Sequence, residues 1–280
     1  MAVNERFGRD LERCLQQVER IVAGARERGA SLVVLPEASL GGYLYEPYFE
    51  GAPVPCAPPP ELDRNGPEIA RIARAAGNVV VCLGYTERSE GKPFSSAVCV
   101  NGDGVLGHHR KVHLPPAERA AYDAGSGFAA FDTPIGRIGM LVCYDKTFPE
   151  SARQLALDGA GLIASLSAWA ICRVDPAMWT RRDAQVRHFN LLDRTRALEN
   201  QVVWVSSNQV GRFGRLRFPG QSKVVDPSGR VLAKTGTRAG SAFARVDAPG
   251  VVAAARNRMS YLDDRRPSAY AELPAQIASV

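Results

Sequence analysis

The 280-residue sequence predicts an α/β protein whose sheets are mixed rather than purely parallel. Three observations point there. Short apolar runs alternate with segments whose apolar residues fall at helical spacing, the pattern of strands and the helices that cover them. Two pairs of strand-like runs are joined by turn-rich tetrapeptides, Asn101-Gly102-Asp103-Gly104 and Asp226-Pro227-Ser228-Gly229, which signal hairpins. The 45% hydrophobic content supplies a core, and no apolar run is long enough to span a bilayer.

Taken in order, Leu11, Leu15, Val18, Val22 and Ala25 lie at helical spacing within residues 7–29, and Gly29 ends that run. The stretch before it, Met1 to Asp10, is polar. It offers neither the apolar core of a signal peptide nor a strand ahead of the first helix. Ser31 to Leu35 is a strand, followed directly by Pro36 and Glu37 and by a turn at Gly41-Gly42-Tyr43. Residues 51–66 are rich in proline and read as a loop or lid edge. Pro67 to Ala76 is a helix with proline in its first turn, and Val79 to Leu83 is a buried strand. Phe94 to Val100 and Val105 to His109 form the first hairpin, with Lys111 just beyond it. Residues 112–130 are a loop carrying Pro115-Pro116, Glu118 and Gly125-Ser126-Gly127.

A short apolar run then leads from Arg137 into Cys143. Thr147 is a candidate helix cap, Glu150 three residues later completes a capping box, and Pro149 suits the first turn of a helix ending near Asp158. Leu162 to Leu166 is a strand and Ser167 to Pro176 a loop holding Trp169, Cys172 and Arg173. A long helix runs from about Met178 to Glu199, and Val202 to Ser206 is a strand followed by Asn208. The second hairpin is Lys223–Val225 with Arg230–Ala233. Ala242 to Val246 is the last strand, and the tail is irregular from about residue 255. No repeat of 20–50 residues is present, so residues 1–280 read as one domain.

Composition narrows the function. The cysteines at 14, 56, 82, 99, 143 and 172 show no CxxC spacing, which predicts reduced thiols and a cytoplasmic protein. The net charge of +6 is spread along the chain with no basic run longer than a pair, so nucleic-acid binding is not expected. His108, His109 and His113 could be drawn as metal ligands, but no second cluster joins them, and no metal is expected.

Glu37, Lys111 and Cys143 each follow a separate apolar strand. Singly, they read equally well as a solvated loop acid, an exposed lysine and a small buried residue. Together they place an acid, an ammonium and a thiol at one sheet edge. Cys143 sits where a strand gives way to a helix, a sharp turn that can lift a nucleophile into a cleft, near a helix N-terminus that favours a thiolate.

The motifs around these residues make a resemblance specific. Val34-Leu35-Pro36-Glu37 with Gly41-Gly42-Tyr43, His109-Arg110-Lys111-Val112-His113-Leu114-Pro115, and Val142-Cys143-Tyr144-Asp145-Lys146-Thr147-Phe148-Pro149-Glu150 resemble the three catalytic motifs of the nitrilase superfamily of carbon–nitrogen hydrolases. Arg196-Ala197-Leu198-Glu199-Asn200, Asn208-Gln209-Val210-Gly211 and Gly220-Gln221-Ser222 match in order as well. The resemblance runs from about residue 8 to 250. It implies a four-layer αββα sandwich with two mixed sheets, pairing into an αββα–αββα homodimer or a higher homo-oligomer, with no cofactor. It also implies catalysis by Glu37, Lys111 and Cys143, with Glu118 as the second glutamate that positions substrate. Lys111 and the Tyr144 backbone N–H are the expected oxyanion donors.

Tyr144 and Asp145 stand where true nitrilases have tryptophan and glutamate, which is similar to amidases and carbamoylases. The expected activity is therefore cleavage of the C–N bond of a small amide or N-carbamoyl compound through a Cys143 thioester, with release of ammonia. Lys146 lies where carbamoyl-amino-acid hydrolases carry a carboxylate-binding arginine, so either an acidic substrate is held by Lys146, with Arg173 as a second anchor beside Trp169, or Lys146 pairs with an acid of the protein itself. Alternatives on the same residues are a nitrilase, an acyltransferase passing the thioester to an amine, and a non-catalytic binding protein.

Overall fold

The computed structural model of the chain describes residues 1–44 and 57–270. The loop or lid edge read at 51–66 therefore falls partly outside the described residues. The elements run β1 (Ala2–Glu5), α1 (Leu11–Glu27), β2 (Leu32–Val34), β3 (Glu61–Leu62), α2 (Pro67–Ala76), β4 (Val80–Glu87), β5 (Phe94–Asn101) and β6 (Gly104–Arg110). They continue with β7 (Phe131–Thr133), β8 (Gly136–Val142), α3 (Pro149–Leu157), β9 (Leu162–Ser167), α4 (Ala184–Asn200), β10 (Val203–Phe213), β11 (Leu216–Pro219), β12 (Lys223–Val225), β13 (Val231–Lys234), β14 (Gly240–Ala242) and α5 (Ala248–Arg258).

The main hydrogen-bonded path is β6-β5-β4-β2-β1-β10-β9-β8-β7. Each half mixes parallel and antiparallel neighbours. β4 pairs parallel with β2 and antiparallel with β5, while β8 pairs parallel with β9 and antiparallel with β7. The halves stack face to face, and the alternation of side chains along each strand shows it. Val34, Val80 and Cys82 share one core cluster with Met140, Val142, Ala164 and Leu166 from the other half. The intervening residues Val33, Val81 and Leu83 face outward under α1 and α2, and Leu141 and Ile163 face outward under α3 and α4. That is the four-layer α/β/β/α order, with the two mixed sheets joined edge to edge through β1.

β1 corrects the sequence reading, which placed no strand before the first helix. Ala2 and Val3 are buried, and β1 pairs parallel with both β2 and β10 and antiparallel with β14. Four residues containing Asn4 and Glu5 carry no strand signature of their own. Tertiary pairing makes the strand, and the Asn4 side chain donates to the carbonyls of Gly236 (3.2 Å) and Arg238 (2.7 Å).

Several boundaries also move. α4 begins at Ala184 rather than near Met178 because the Asp183 carboxylate accepts from the N–H groups of Gln185 and Val186 and caps it there. α3 begins at Pro149 but is not capped by Thr147. Thr147 belongs to a 3-10 turn, Cys143–Thr147, and its buried hydroxyl has no protein partner. The last strand is Gly240–Ala242, ending where the reading began it, and α5 runs into the start of the segment read as an irregular tail. Among the described residues, no helix is long and apolar enough to cross a membrane.

Candidate active site

The carboxyl ends of β2, β6, β8 and β9 deliver the site. Glu37 follows β2 and is almost fully buried. Its Oε2 accepts the Ala168 N–H just past β9 at 2.7 Å, and its Oε1 accepts from Lys111 Nζ at 2.9 Å and from the Ser95 hydroxyl at 3.4 Å. The Gln209 side-chain amide donates to the Glu37 carbonyl at 2.9 Å, fixing the backbone. β4 passes directly beneath. A Cβ added to Gly84 would lie 2.8 Å from Glu37 Cα and 2.6 Å from the Ala38 nitrogen, so only glycine lets the two segments approach this closely.

Lys111 follows β6, where its N–H still donates to the Ser95 carbonyl at 2.8 Å and so continues the ladder. Its ammonium is fully buried between two acids. Beyond Glu37, both oxygens of Glu118 lie 2.7 Å from Nζ, and Tyr43 donates its hydroxyl proton to Glu118. Glu118 arrives on a short 3-10 turn, Pro116–Glu118.

Cys143 directly follows β8 with φ of +49°, a left-handed conformation unusual for a non-glycine residue. Asp145 holds that turn. Its carboxylate accepts from the backbone N–H of Val142 (3.2 Å), Val112 (3.2 Å) and His113 (2.9 Å), and pairs with His109 Nε2 (2.9 Å) and His113 Nδ1 (3.1 Å). One buried acid thus ties the segment following Lys111 to the turn that presents Cys143. Burial opposes the charge on Asp145, but the hydrogen bonds from His109 and His113 outweigh it and hold the carboxyl well below its usual range.

The electrostatics correct one expectation. The helix that was to favour a thiolate starts only at Pro149, and Cys143 lies in the preceding 3-10 turn. Burial, and next the Glu37 carboxylate, push the thiol well above its ordinary value, while Lys111 and Lys146 pull the other way. The resting sulfur is therefore protonated and needs a base to act. Burial pulls Lys111 down, but Glu118 and Glu37 outweigh it and keep the ammonium charged. Burial also lifts the Glu118 carboxyl, against Lys111. Burial and the Glu118 charge keep Tyr43 a neutral donor.

Cys143 opens on a cavity of about 240 Å³ lined by Tyr43, Tyr144, Trp169, Arg173, Gln185 and Leu216 among others. A larger hollow of about 350 Å³ lies at the amino ends of β2, β9 and β10 and holds none of these catalytic groups. Trp169 and Arg173 do reach the cavity wall. The Trp169 backbone N–H donates to Asn208 Oδ1 at 2.8 Å, and its indole N–H donates to the Gln185 carbonyl at 3.1 Å.

Lys146 pairs with a protein acid, the second of its two readings, rather than standing open as a carboxylate anchor. It is fully buried, its Nζ lies 2.8 Å from Asp193 Oδ1, and it sits 3.3 Å from the Phe189 ring centroid. Its charge is met inside the protein. The histidines considered as metal ligands are also engaged: His108 with Glu87 at 2.7 Å, His109 and His113 with Asp145. Sequence reasoning missed the structural work of Asp145. The signal for it was an acid two residues after the cysteine, matched by histidines two before and two after the lysine.

The comparisons with known proteins agree with this architecture. The family model described as carbon-nitrogen hydrolase matches residues 5–256. A probable nitrilase from Schizosaccharomyces pombe is 29% identical, covering 94% of this chain and 93% of its own length. An N-carbamoylputrescine amidase from Arabidopsis thaliana is 26% identical, covering 93% and 90%. The crystal structure of a carbon-nitrogen hydrolase from Helicobacter pylori G27 superposes with a TM-score of 0.80 at 24% identity, covering 96% of this chain and 95% of that one.

Proposed function

The chain belongs to the carbon–nitrogen hydrolase family, and we propose that it releases ammonia from a small amide or N-carbamoyl compound by way of a Cys143 thioester. The observation that carries this reading is the Lys111 ammonium held between Glu37 and Glu118 at 2.7–2.9 Å, beside a cavity that Cys143 opens on. In the first step Glu37 accepts the Sγ–H proton as the sulfur attacks the carbonyl carbon, which removes the need for a preformed thiolate. The oxyanion meets the Lys111 ammonium and the Tyr144 N–H, which lies in the first turn of the 3-10 helix where no intrahelical acceptor is available. Glu37 returns the proton to the leaving nitrogen, the C–N bond breaks and ammonia departs. Water then attacks the thioester with Glu37 as base, and the acid and the free thiol are released. Glu118 holds Lys111 in place and accepts from the substrate N–H.

The cavity wall is largely apolar and aromatic, which suits a small acyl group resting on Trp169 and Tyr144. Arg173, in the cavity lining, is the candidate contact for a substrate carboxylate. A homodimer would give the exposed apolar side chains of Val174, Met178 and Trp179 a surface to pack against.

An ammonia-release screen across simple amides, ω-amides, N-carbamoyl acids and nitriles tests the reading, with Cys143→Ala as control. Release that persists in Cys143→Ala, or none from any amide or carbamoyl compound, rejects it. Arg173→Gln is expected to raise KM for carboxylate substrates more than for neutral analogues, and an equal rise removes Arg173 from recognition.

A further inference from the structure

Behind the Cys143 turn lies a second buried charge cluster, one of whose ammonium groups, Lys146, sits 5.3 Å from the ring centroid of the cavity-lining Trp169. Lys146 comes from the turn itself, Asp193 from the middle of α4 and Lys223 from β12, and all three are fully buried. Lys146 and Lys223 each pair with a different oxygen of Asp193, and Trp204 Nε1–H donates to Asp193 Oδ1 at 3.0 Å. The Phe189 ring lies against both ammonium groups, 3.3 Å and 4.1 Å from its centroid. The turn is also clamped from α4 by Arg196, which donates to the carbonyls of Lys146 and Thr147, both at 2.9 Å.

Two ammonium groups share one carboxylate, so the cluster buries one positive charge in excess. A cluster serving only to hold α4 against the sheet would do better neutral, since unpaired buried charge is expensive. The excess lies three residues from the sulfur and opposite a catalytic group with one negative charge in excess, Glu37 and Glu118 against Lys111. We propose that Lys146, Asp193 and Lys223 are positioning residues whose net positive charge supports the Cys143 sulfur as it loses its proton. The proposal rests on the reading of Cys143 as the nucleophile.

The charges bearing on this cluster are few. On the catalytic side Cys143 and Glu37 act on Lys146, and on the sheet side Lys234 of β13 stands opposite Lys223 in register. Burial draws Lys223 down to about 8 against the pull of Asp193, with Lys146 adding to the fall. Ser206, paired in register with both Lys223 and Ser165, has a buried hydroxyl without a protein partner, as Ser165 does, so neither neutralises the excess.

The test is the rate at which iodoacetamide alkylates Cys143 in the full chain, read from its peptide by mass spectrometry between about pH 5 and pH 10. Below its pKa a thiol reacts in proportion to its thiolate fraction, so a displacement of one pH unit appears as about tenfold in rate. Lys223→Met is expected to slow alkylation roughly tenfold at neutral pH, the gap closing as pH rises past about 8, where the Lys223 ammonium gives up its own proton. Asp193→Asn, which breaks the same ion pair from the other side, is expected to speed it at neutral pH. Lys223→Arg should keep the wild-type rate at neutral pH. A purely structural cluster would shift both neutralising variants in the same direction, and that result overturns the proposal. If Asp193→Asn does not fold, equal neutral-pH rates for Lys223→Met and Lys223→Arg overturn it instead. Failure of the hydrolase reading appears separately, as a wild-type chain that releases no ammonia while its alkylation profile still responds to Lys223→Met.

Discussion

Two buried triads flank Cys143, and they are opposites in charge. Glu37, Lys111 and Glu118 set two acids around one base beside the substrate cavity. Lys146, Asp193 and Lys223 set two bases around one acid, sealed beneath α4. The difference teaches that a buried surplus of charge is informative through its sign and its access. In the proposed reaction the acid-rich triad supplies the proton acceptor beside the thiol. The base-rich triad is fully buried and, as proposed, acts through its field and through the turn it holds.

The sharpest way to break the comparison is to disarm the acid-rich side. Glu37→Gln removes the proton acceptor, and kcat/KM for ammonia release is expected to fall by about 10³-fold or more, since general-base help alone supplies roughly 10²–10⁴. Gly84→Ala is the next largest. The added Cβ would displace Glu37 without changing any charge, and a misplacement on the order of 1 Å is expected to reduce kcat by about 10²-fold while far-UV circular dichroism stays native. Lys223→Met, on the base-rich side, should reduce kcat/KM at neutral pH by only about tenfold, with the loss shrinking as pH rises and the thiolate forms unaided.

The smallest effect is on stability against pH, and there the triads should respond with opposite sign. Burial opposes the charge on Asp193, but Lys146 and Lys223 outweigh it and hold its carboxyl below the ordinary value. Its contribution is present above the unfolded value near pH 4 and is lost as pH falls through the depressed one. The stability gap between wild type and Asp193→Asn, measured by urea unfolding, should therefore narrow in acid. Glu118 is lifted by burial, so wild type carries a cost at neutral pH that is relieved as its carboxyl protonates on the way down toward its unfolded value. Wild type should gain on Glu118→Gln over that window. Parallel slopes for the two variants would erase the distinction drawn between the triads.

Glu37 and Lys111 of the acid-rich triad, and Cys143 beside it, were legible because each stands at the carboxyl end of an apolar run, and such runs are visible as patterns; Glu118 follows no such run and came from the family resemblance alone. The strands at Leu32, Val80 and Leu162 and the hairpin at Lys223 were readable for the same reason. The base-rich triad was not. Asp193 lies among charged residues in mid-helix, where a charge ordinarily faces solvent, and nothing local marks it as buried. α5 escaped notice because Val252 is its one buried residue among those described, too little for a stripe. β1 escaped because its partners, not its residues, make it a strand.

That strand has a consequence for how the molecule comes into being. The Val3 N–H finds its acceptor, the Ser207 hydroxyl, 204 positions further along the chain, and the same four residues await β14 later still. A polypeptide emerging from the ribosome can pair β1 with β2 early, but its pairing with β10 and β14 must wait until nearly everything else has been made, a high-contact-order closure of the slow kind. The halves that carry Glu37 and Cys143 are stitched together along this seam. Glu37, Lys111 and Glu118 are therefore all made before Cys143 exists, and the sulfur joins them in one site only as this seam closes.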